Sequence, residues 1–323
     1  MNIILTGSVA YDYLMTFPGL FKDHFLADKL EQVSLSFLVD SMVKRRGGIA
    51  PNIAYTMALL GERPRVMATV GEDFAEYRAF LENAGVDTSL IKTIPGLFTA
   101  SFFCNTDHAN AQIASFYPGA MDRAGELSFY DLEEKPDWVV ISPNAPDAMV
   151  QFPEECLDLG IPYLYDPSQQ IPRMSGDELR RGVEGASALM VNDYEFELIK
   201  KHTGLNEAEI LEGRQFTVVT RGEHGASIYV DGTEIRIPVV PPDHIADPTG
   251  VGDAFRGGFL TGFTRGLDWE ICGKMGALAA TYCLEHAGPQ EHHFTPVEFV
   301  ARFRQHFDDG GVLDKLSGNK VTQ

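Results

Sequence analysis

The chain is poor in the features that mark secreted, membrane and nucleic-acid-binding proteins. Only four cysteines occur in 323 residues, at Cys104, Cys156, Cys272 and Cys283. No two have C-x-x-C spacing, so neither a disulfide framework nor a zinc ribbon is encoded, and reduced thiols in a cytoplasmic protein are expected. Positive charge is scarce as well: 26 Lys and Arg stand against 46 Asp and Glu, a net charge of −20. Nucleic acid and anionic membrane need a basic face, so neither is an expected partner. No stretch approaches the roughly 18 apolar residues of a membrane span, and the N-terminus opens on strand-like residues, Asn2 to Thr6, without a basic leader. Linkers, repeats and low-complexity tracts are missing too, which points to one large core with an excursion.

What the chain has is a glycine-rich segment, DPTGVGDAFRGGF, from Asp247 to Phe259. Thr249, Gly250, Val251 and Gly252 precede a helical pattern, so their backbone N–H groups lie unpaired at the positive end of a helix dipole and form a ready anion site. Asp253 follows at once. A carboxylate repels a phosphate, so its presence there makes chemical sense if it takes a proton from a hydroxyl that attacks phosphorus. The helix dipole is expected to lower its basicity, making it act late in the transfer. Read alone, the segment also fits a tightly packed helix whose first-turn acid merely complements the dipole. It is not a dinucleotide fingerprint, because Phe255 stands where the third glycine belongs, and it lacks the lysine of a P-loop.

A second segment, GGIAPNIAYTMALLG from Gly47 to Gly61, places paired glycines before a run in which Ile49, Ile53, Met57 and Leu60 recur at helical spacing. Gly48 allows close backbone approach to a ligand, and Asn52 offers both a donor and an acceptor near the helix start. Asp12, after the first strand, has a carboxylate able to accept two hydroxyl hydrogen bonds, as a vicinal diol requires; a turn or cap role is the alternative. Candidates for local positive potential are Arg46, Arg173, Arg221 and Arg256. Short apolar strands alternate with amphipathic helices from Arg65 to His202, predicting a parallel, helix-covered sheet. Strands at Thr217–Thr220, Ser227–Val230 and Glu234–Val239 are expected to be antiparallel, with an Asp231-Gly232 turn.

Two stretches, 13–45 and 96–119, carry the alternation of half-buried antiparallel strands. The second reads as a hairpin turning over Asp107 to Asn110. With its register centred on Ala109, Phe102 faces Phe116 and the two rings share one face, where a nucleobase could stack; ordinary core packing is the alternative. Glu291, His292 and His293 read as an exposed acidic stretch without zinc spacing. The tail, 311–323, is expected to fray.

The glycine pair with Asn52, followed two hundred residues later by D-x-T-G-x-G-D, resembles the ribokinase-like (pfkB) carbohydrate and nucleoside kinase family. The blocks GSVAYDYLMTFPG (Gly7 to Gly19), VSLSFLVD (Val33 to Asp40), AQIASFYPGAM (Ala111 to Met121), DPSQQ (Asp166 to Gln170) and DPTGVGDAFRGGFLTG (Asp247 to Gly262) look like the actinobacterial-type adenosine kinases in it. The resemblance implies a three-layer α/β/α fold with a mostly parallel sheet. Segments 1–12, 46–95 and 120–310 would form the large nucleotide-binding domain, and 13–45 and 96–119 a small β lid.

It further implies transfer of the γ-phosphoryl group of MgATP to the 5′-hydroxyl of adenosine, in purine salvage. Another nucleoside, a furanose sugar, or a nucleoside sensor without turnover remain as alternatives. By resemblance Asp253 is the base and Gly250, Val251 and Gly252 the anion hole. Ser8, Asp12, Gly48 and Asn52 would hold the ribose, with Ser36 reaching in from the lid and Gln169 and Arg173 completing the acceptor side. Asn192 and Glu195 would serve the donor side, Glu195 holding Mg²⁺ through water. Thr220, Gly222 and Gly225 would form the nucleotide loop, and Ala287 to Gln290 would border the adenine and a K⁺ site. Relatives associate through their lids, which implies a homodimer.

Overall fold

The computed structural model describes residues 1–25, 35–316 and 318. Part of the expected lid segment, with Val33 and Ser34 of its sequence block, and the last residues of the tail lie outside them. Strand β1 (Ile3–Thr6) is buried at every position, as a strand covered on both faces must be. The chain then leaves for a second sheet through β2 (Ala10–Thr16) and β3 (Ser41–Gly47) and returns by α1 (Ile49–Leu59), β4 (Arg65–Val70), α2 (Ala75–Ala84) and β5 (Ile91–Thr93). A second excursion makes the hairpin β6 (Ala100–Thr106) and β7 (Gln112–Tyr117). Next come β8 (Trp138–Ile141), α3 (Pro146–Leu159), β9 (Tyr163–Tyr165), α4 (Gly176–Gly185), β10 (Ala188–Asn192), α5 (Asp193–Thr203), α6 (Glu207–Leu211) and β11 (Phe216–Thr220). The chain closes with β12 (Ala226–Val230), β13 (Thr233–Ile237), α7 (Val251–Thr264), α8 (Trp269–Leu284) and α9 (Pro296–His306).

The large sheet has the order β13-β12-β11-β10-β9-β8-β1-β4-β5, parallel except at the β12 and β13 edge. The small sheet has the order β3-β2-β6-β7. Side chains alternate across the large sheet, so Ile3, Leu5 and Val140 join one core with α1, α7, α8 and α9, while Ile4, Val139 and Ile141 join a second with α3, α4 and α5. This is the expected three-layer arrangement. One strand differs from expectation: β11 is parallel to β10 and antiparallel only to β12, because the crossover through α5 and α6 returns it in the direction of β10.

The chain steps from β1 outward to β4 and β5, then resumes on the other side with β8. That reversal makes a crevice at the carboxyl ends of β1 and β8, the usual ligand position in such sheets. The tail is folded further than expected. A 3₁₀ turn spans Val312–Lys315, Leu313 and Leu316 enter the core, and Arg304 donates through Nε and Nη2 to the two carboxylate oxygens of Asp309, each at 2.9 Å.

Candidate active site

A cavity of about 460 Å³ opens at that crevice, roofed by the small sheet. Residues on its walls include Ser8 and Pro143 from the ends of β1 and β8, Asn52 from α1, and Thr249, Gly250 and Asp253 from the start of α7. Its size suits a small organic ligand.

The roof follows from strand periodicity. On β2, Ala10, Asp12 and Leu14 face the cavity, whereas Tyr11 turns away to pack on Tyr77, with ring centroids 5.5 Å apart. Register places Arg45 opposite Asp12, Asp12 beside Phe102, and Phe102 opposite Phe116. These four side chains therefore form one row across the small sheet, and all four line the cavity. The hairpin register is the one expected. The arginine is not: Arg45 rather than Arg46 faces the site, because adjacent strand residues point to opposite faces. Arg46 instead meets Glu291 at 3.2 Å and lies over the ring of Phe80. Arg45 pairs with Asp247 at 2.9 Å. Burial pushes the Asp12 carboxyl up to about 6, with Arg45 pulling against it and Asp247 adding to it.

Two local devices fix the floor. Gly48 precedes α1 with φ 97°, and a Cβ there would meet the Ser8 carbonyl at 2.4 Å. Glycine lets the chain pass this close, and the Ser8 hydroxyl accepts the Ile49 N–H at 3.2 Å in place of a cap from residue 48. Pro51 falls in the first turn of α1, where its missing N–H does no harm, and leaves Asn52 buried and facing the cavity. At α7 the pattern repeats: Gly250 caps the helix with φ 79°, and a Cβ would strike Pro289 Cβ at 2.3 Å. The amide of Val251 leans on Pro248 O at 3.4 Å. Those of Gly250, Gly252 and Asp253 find no acceptor among the described residues, which leaves them free for an anion.

Asp253 accepts a hydrogen bond from Asn52 Nδ2 at 2.8 Å. Burial pushes its carboxyl up to about 6; Arg256 and the Asn52 bond pull it down, while Asp166 and Glu195 push it further up. The expectation that the helix dipole would depress this group is thus corrected: loss of solvent outweighs the favourable groups around it. A carboxylate with such a value is poised to accept a proton near neutral pH.

Behind it, Arg256 Nε lies 2.7 Å from Asp166 Oδ2, both side chains buried. Asp166 follows β9, and Asn192 ends β10 as the cap of α5, accepting from the Glu195 N–H while Glu195 accepts from the Asn192 N–H. Burial, then the charge of Asp166, raises the Glu195 carboxyl. Two crowded carboxylates favour a cation between ligand and protein. Oxygen donors of this kind are the ones magnesium prefers, and it keeps several of its own waters; among the described residues no cluster of three His, Cys, Asp or Glu could hold a metal directly. Thr220 ends β11, and Gly222 and Gly225 bracket the turn beyond it. Asn192, Glu195, Thr220, Gly222 and Gly225, expected on the donor side, lie at the carboxyl ends of β10 and β11 and do not line the cavity.

Gln169 and Arg173 line the cavity as expected. Ser36 is exposed and is not on its wall. Gln290, expected at the adenine, is instead 2% exposed and donates to Asn52 Oδ1 at 2.7 Å, so it supports the acceptor side. The neighbouring Gly288 sits against Arg45, whose Nη1 lies 3.1 Å from where a Cβ would be. Arg221 bonds Tyr229 at 3.1 Å, away from the cavity. His292, expected on an exposed stretch, is fully buried and its Nε2 contacts Thr56 Oγ1 at 3.1 Å. Burial pushes it down to about 3, so it is neutral and structural. The four thiols are free and buried, and among the described residues no helix is long and apolar enough to cross a membrane.

Sequence reasoning missed Arg45, Asp247 as its partner, and Tyr77. For Arg45 a signal existed: it stands two residues before Gly47 and shares a strand face with it.

The family model described as "pfkB family carbohydrate kinase" matches residues 6–295. A nucleoside kinase of Methanocaldococcus jannaschii is 28% identical over 94% of this chain and 97% of its own length. The structure of Burkholderia thailandensis nucleoside kinase in complex with inosine superposes with a TM-score of 0.84 at 37% identity, covering 94% of this chain and 98% of that one. The same enzyme in complex with ADP and inosine gives 0.82 at 38%, over 94% and 96%. These relatives bear the broader name of nucleoside kinase, where an adenosine kinase of actinobacterial type was expected.

Proposed function

The chain belongs to the pfkB family of carbohydrate kinases, and from that premise we propose that it is a nucleoside kinase. It moves the γ-phosphoryl group of ATP to the 5′-hydroxyl of a purine nucleoside, adenosine first, giving ADP and the nucleoside monophosphate. The observation that carries this reading is the meeting in one cavity of a carboxylate poised near pH 6, an amide cradle, and an Asp12–Phe102–Phe116 row. The relative whose two structures hold inosine supports the nucleoside as acceptor.

The ribose diol is held by Asp12, with Ser8, the Gly48 backbone and Asn52 around it, and the base lies against Phe102 and Phe116. Asp253 takes the 5′-hydroxyl proton as the oxygen bonds to the γ-phosphorus and the bond from that phosphorus to the bridging oxygen of ADP breaks. The amides of Gly250, Val251 and Gly252 stabilise charge on the moving group. Magnesium, when bound, neutralises phosphate charge, and Glu195 with Asn192 would hold it through water. Thr220, Gly222 and Gly225 border the donor nucleotide. A 6-oxopurine nucleoside is the second reading, favoured by Arg173, a donor-only group on the cavity wall. A panel of nucleosides, ribose and fructose with MgATP, read by ADP release, decides among them. Release with sugars alone overturns the nucleoside reading, and binding without release points to a sensor.

Phe102→Ala and Phe116→Ala are each expected to raise the nucleoside KM about 5- to 100-fold, the worth of one base-stacking contact, and to leave the ATP KM within about twofold. Equal changes for both ligands would remove the stacking role.

The acid limb of the pH profile follows from the two raised carboxyls. Both must be ionised in this mechanism, so kcat/KM for the nucleoside should fall below about pH 6, more steeply than one proton allows. Asp12→Asn should reduce the limb to a single proton. A one-proton limb near the ordinary carboxylate value in the parent enzyme would contradict the assignment.

A further inference from the structure

Five residues from four separate segments of the chain are joined behind the cavity by a continuous run of hydrogen bonds. Tyr77 donates its hydroxyl hydrogen to the Gly47 carbonyl at 2.9 Å. Gln290 Nε2 donates to the Tyr77 oxygen and to Asn52 Oδ1 at 2.7 Å. Asn52 Nδ2 donates to Asp253 Oδ2 at 2.8 Å. Apart from Asp253, the side chains of the run are almost wholly buried, Tyr77 at 1%, Gln290 at 2% and Asn52 at 5% exposure.

The direction of the run is set at one end. A backbone carbonyl can only accept, so the single hydroxyl hydrogen of Tyr77 is committed to Gly47 and its oxygen can only accept from Gln290. Gln290 must therefore present its NH₂ to Tyr77, and the second hydrogen of that group reaches Asn52 Oδ1. With its oxygen engaged, Asn52 turns its NH₂ towards Asp253. The opposite polarity would leave the Gly47 carbonyl without Tyr77 and set Asn52 Oδ1 against Asp253, an arrangement that suits only the protonated acid. Gln290 Oε1 is left buried with no hydrogen-bond partner. An unmade bond on a buried acceptor is unfavourable, a cost this orientation bears because the Tyr77 oxygen and Asn52 Oδ1 both need a donor from Gln290.

We propose that Tyr77 and Gln290 are positioning residues for the phosphoryl transfer: anchored on the Gly47 carbonyl, they orient Asn52 so that Asp253 always meets a donor and is kept as a proton acceptor. This rests on the reading of Asp253 as the base. Neither residue touches the cavity, so neither acts on substrate. Other groups around Asp253 are Arg256 on its own helix, Asp166 after β9, Glu195 on α5 and Cys283 on α8. Those facing Tyr77 are Arg46, Tyr11 and Asp12. None of them is altered by the substitutions below.

The test is the acid limb of kcat/KM in Tyr77→Phe, Gln290→Met and Gln290→Glu, with nucleoside Kd by calorimetry. Tyr77→Phe and Gln290→Met should each lower kcat about tenfold and move the limb to higher pH by about one to two units, the scale of one lost hydrogen bond to a charged group. Nucleoside Kd should stay within about threefold. Gln290→Glu keeps the shape but only accepts, so it should reverse Asn52 and move the limb furthest. The Tyr77→Phe/Gln290→Met pair should be no worse than the worse single change. A limb that stays in place in all three variants overturns the proposal, as does additivity in the double variant. Should Phe at position 77 prevent folding, Gln290→Met and Gln290→Glu carry the same readout. Asp253→Asn run in parallel separates the two levels: full turnover there would remove the base itself, whereas loss of turnover with an unmoved limb in the other variants would remove only the relay.

Discussion

Asp253→Asn is expected to lower kcat by about 10²- to 10⁴-fold, the span of a positioned general base, with nucleoside Kd within about threefold of the parent. The amide keeps the size of the carboxylate and can accept from Asn52 through its oxygen, but it cannot take the hydroxyl proton. Stability should move the other way. The carboxyl rises from an ordinary 3.8 to about 6 in the folded chain because burial disfavours its charge. A folded value above the unfolded one means that ionised Asp253 opposes folding at neutral pH, and that this penalty fades as pH falls through 6 towards 4. The shift corresponds to at most about 3 kcal/mol. The variant should therefore melt at the same or a higher temperature than the parent at pH 7, and lose that advantage near pH 4. Single-turnover ADP release and thermal melts at both pH values check it. Retained turnover would end the catalytic assignment; a large loss of stability at pH 7 would show that burial is not what raises the group.

The second large effect is expected at Asp12. Asp12→Ala should raise the nucleoside KM by about 10²-fold or more, since two hydrogen bonds from ribose hydroxyls to a charged acceptor are worth roughly 1.5 to 3 kcal/mol each. It also leaves Arg45 facing the cavity with Asp247 as its remaining carboxylate. Asp12→Asn retains one acceptor oxygen and should fall between alanine and the parent. The Kd for ATP should not change, because Asp12 belongs to the roof of a cavity that the residues proposed for the donor side do not line. Initial rates with nucleoside and ATP varied in turn, with calorimetry for each, test this. A matching loss of ATP affinity, or a fall in kcat with KM unmoved, would remove Asp12 from the ribose.

How much of this was legible in the sequence depends on how local each feature is. Gly250, Gly252 and Asp253 fall within four residues at a helix start, so the amide cradle and its acid are read from a short segment. The Phe102–Phe116 pairing is equally local, set by a short hairpin whose turn residues fix the register. Asn192 and Glu195, given a donor-side role by resemblance alone, form a capping box at the start of α5. Gln290 was misplaced because its role depends on α1 and α2 arriving beside the chain that follows α8. His292 was misread as exposed for the same reason: a polar neighbourhood in sequence says little about what packs over it. Arg45 and Arg46 were exchanged because the pattern around them does not show which strand face is inward.

By itself, then, the sequence determined the alternation of strands and helices, the two excursions that build the roof, and the turn chemistry that leaves amides open at α7. These are consequences of periodicity and of glycine, proline and asparagine acting over one or two turns of chain. Packing alone decided that Asp12 meets Arg45, that a carbonyl at Gly47 governs an acid at Asp253 through Tyr77, Gln290 and Asn52, and that this acid is held near pH 6 instead of below the usual range. The physical reason is that a repeat fixes the face a side chain takes. The solvent it loses, and the charge it meets, are set by segments that can lie two hundred residues away.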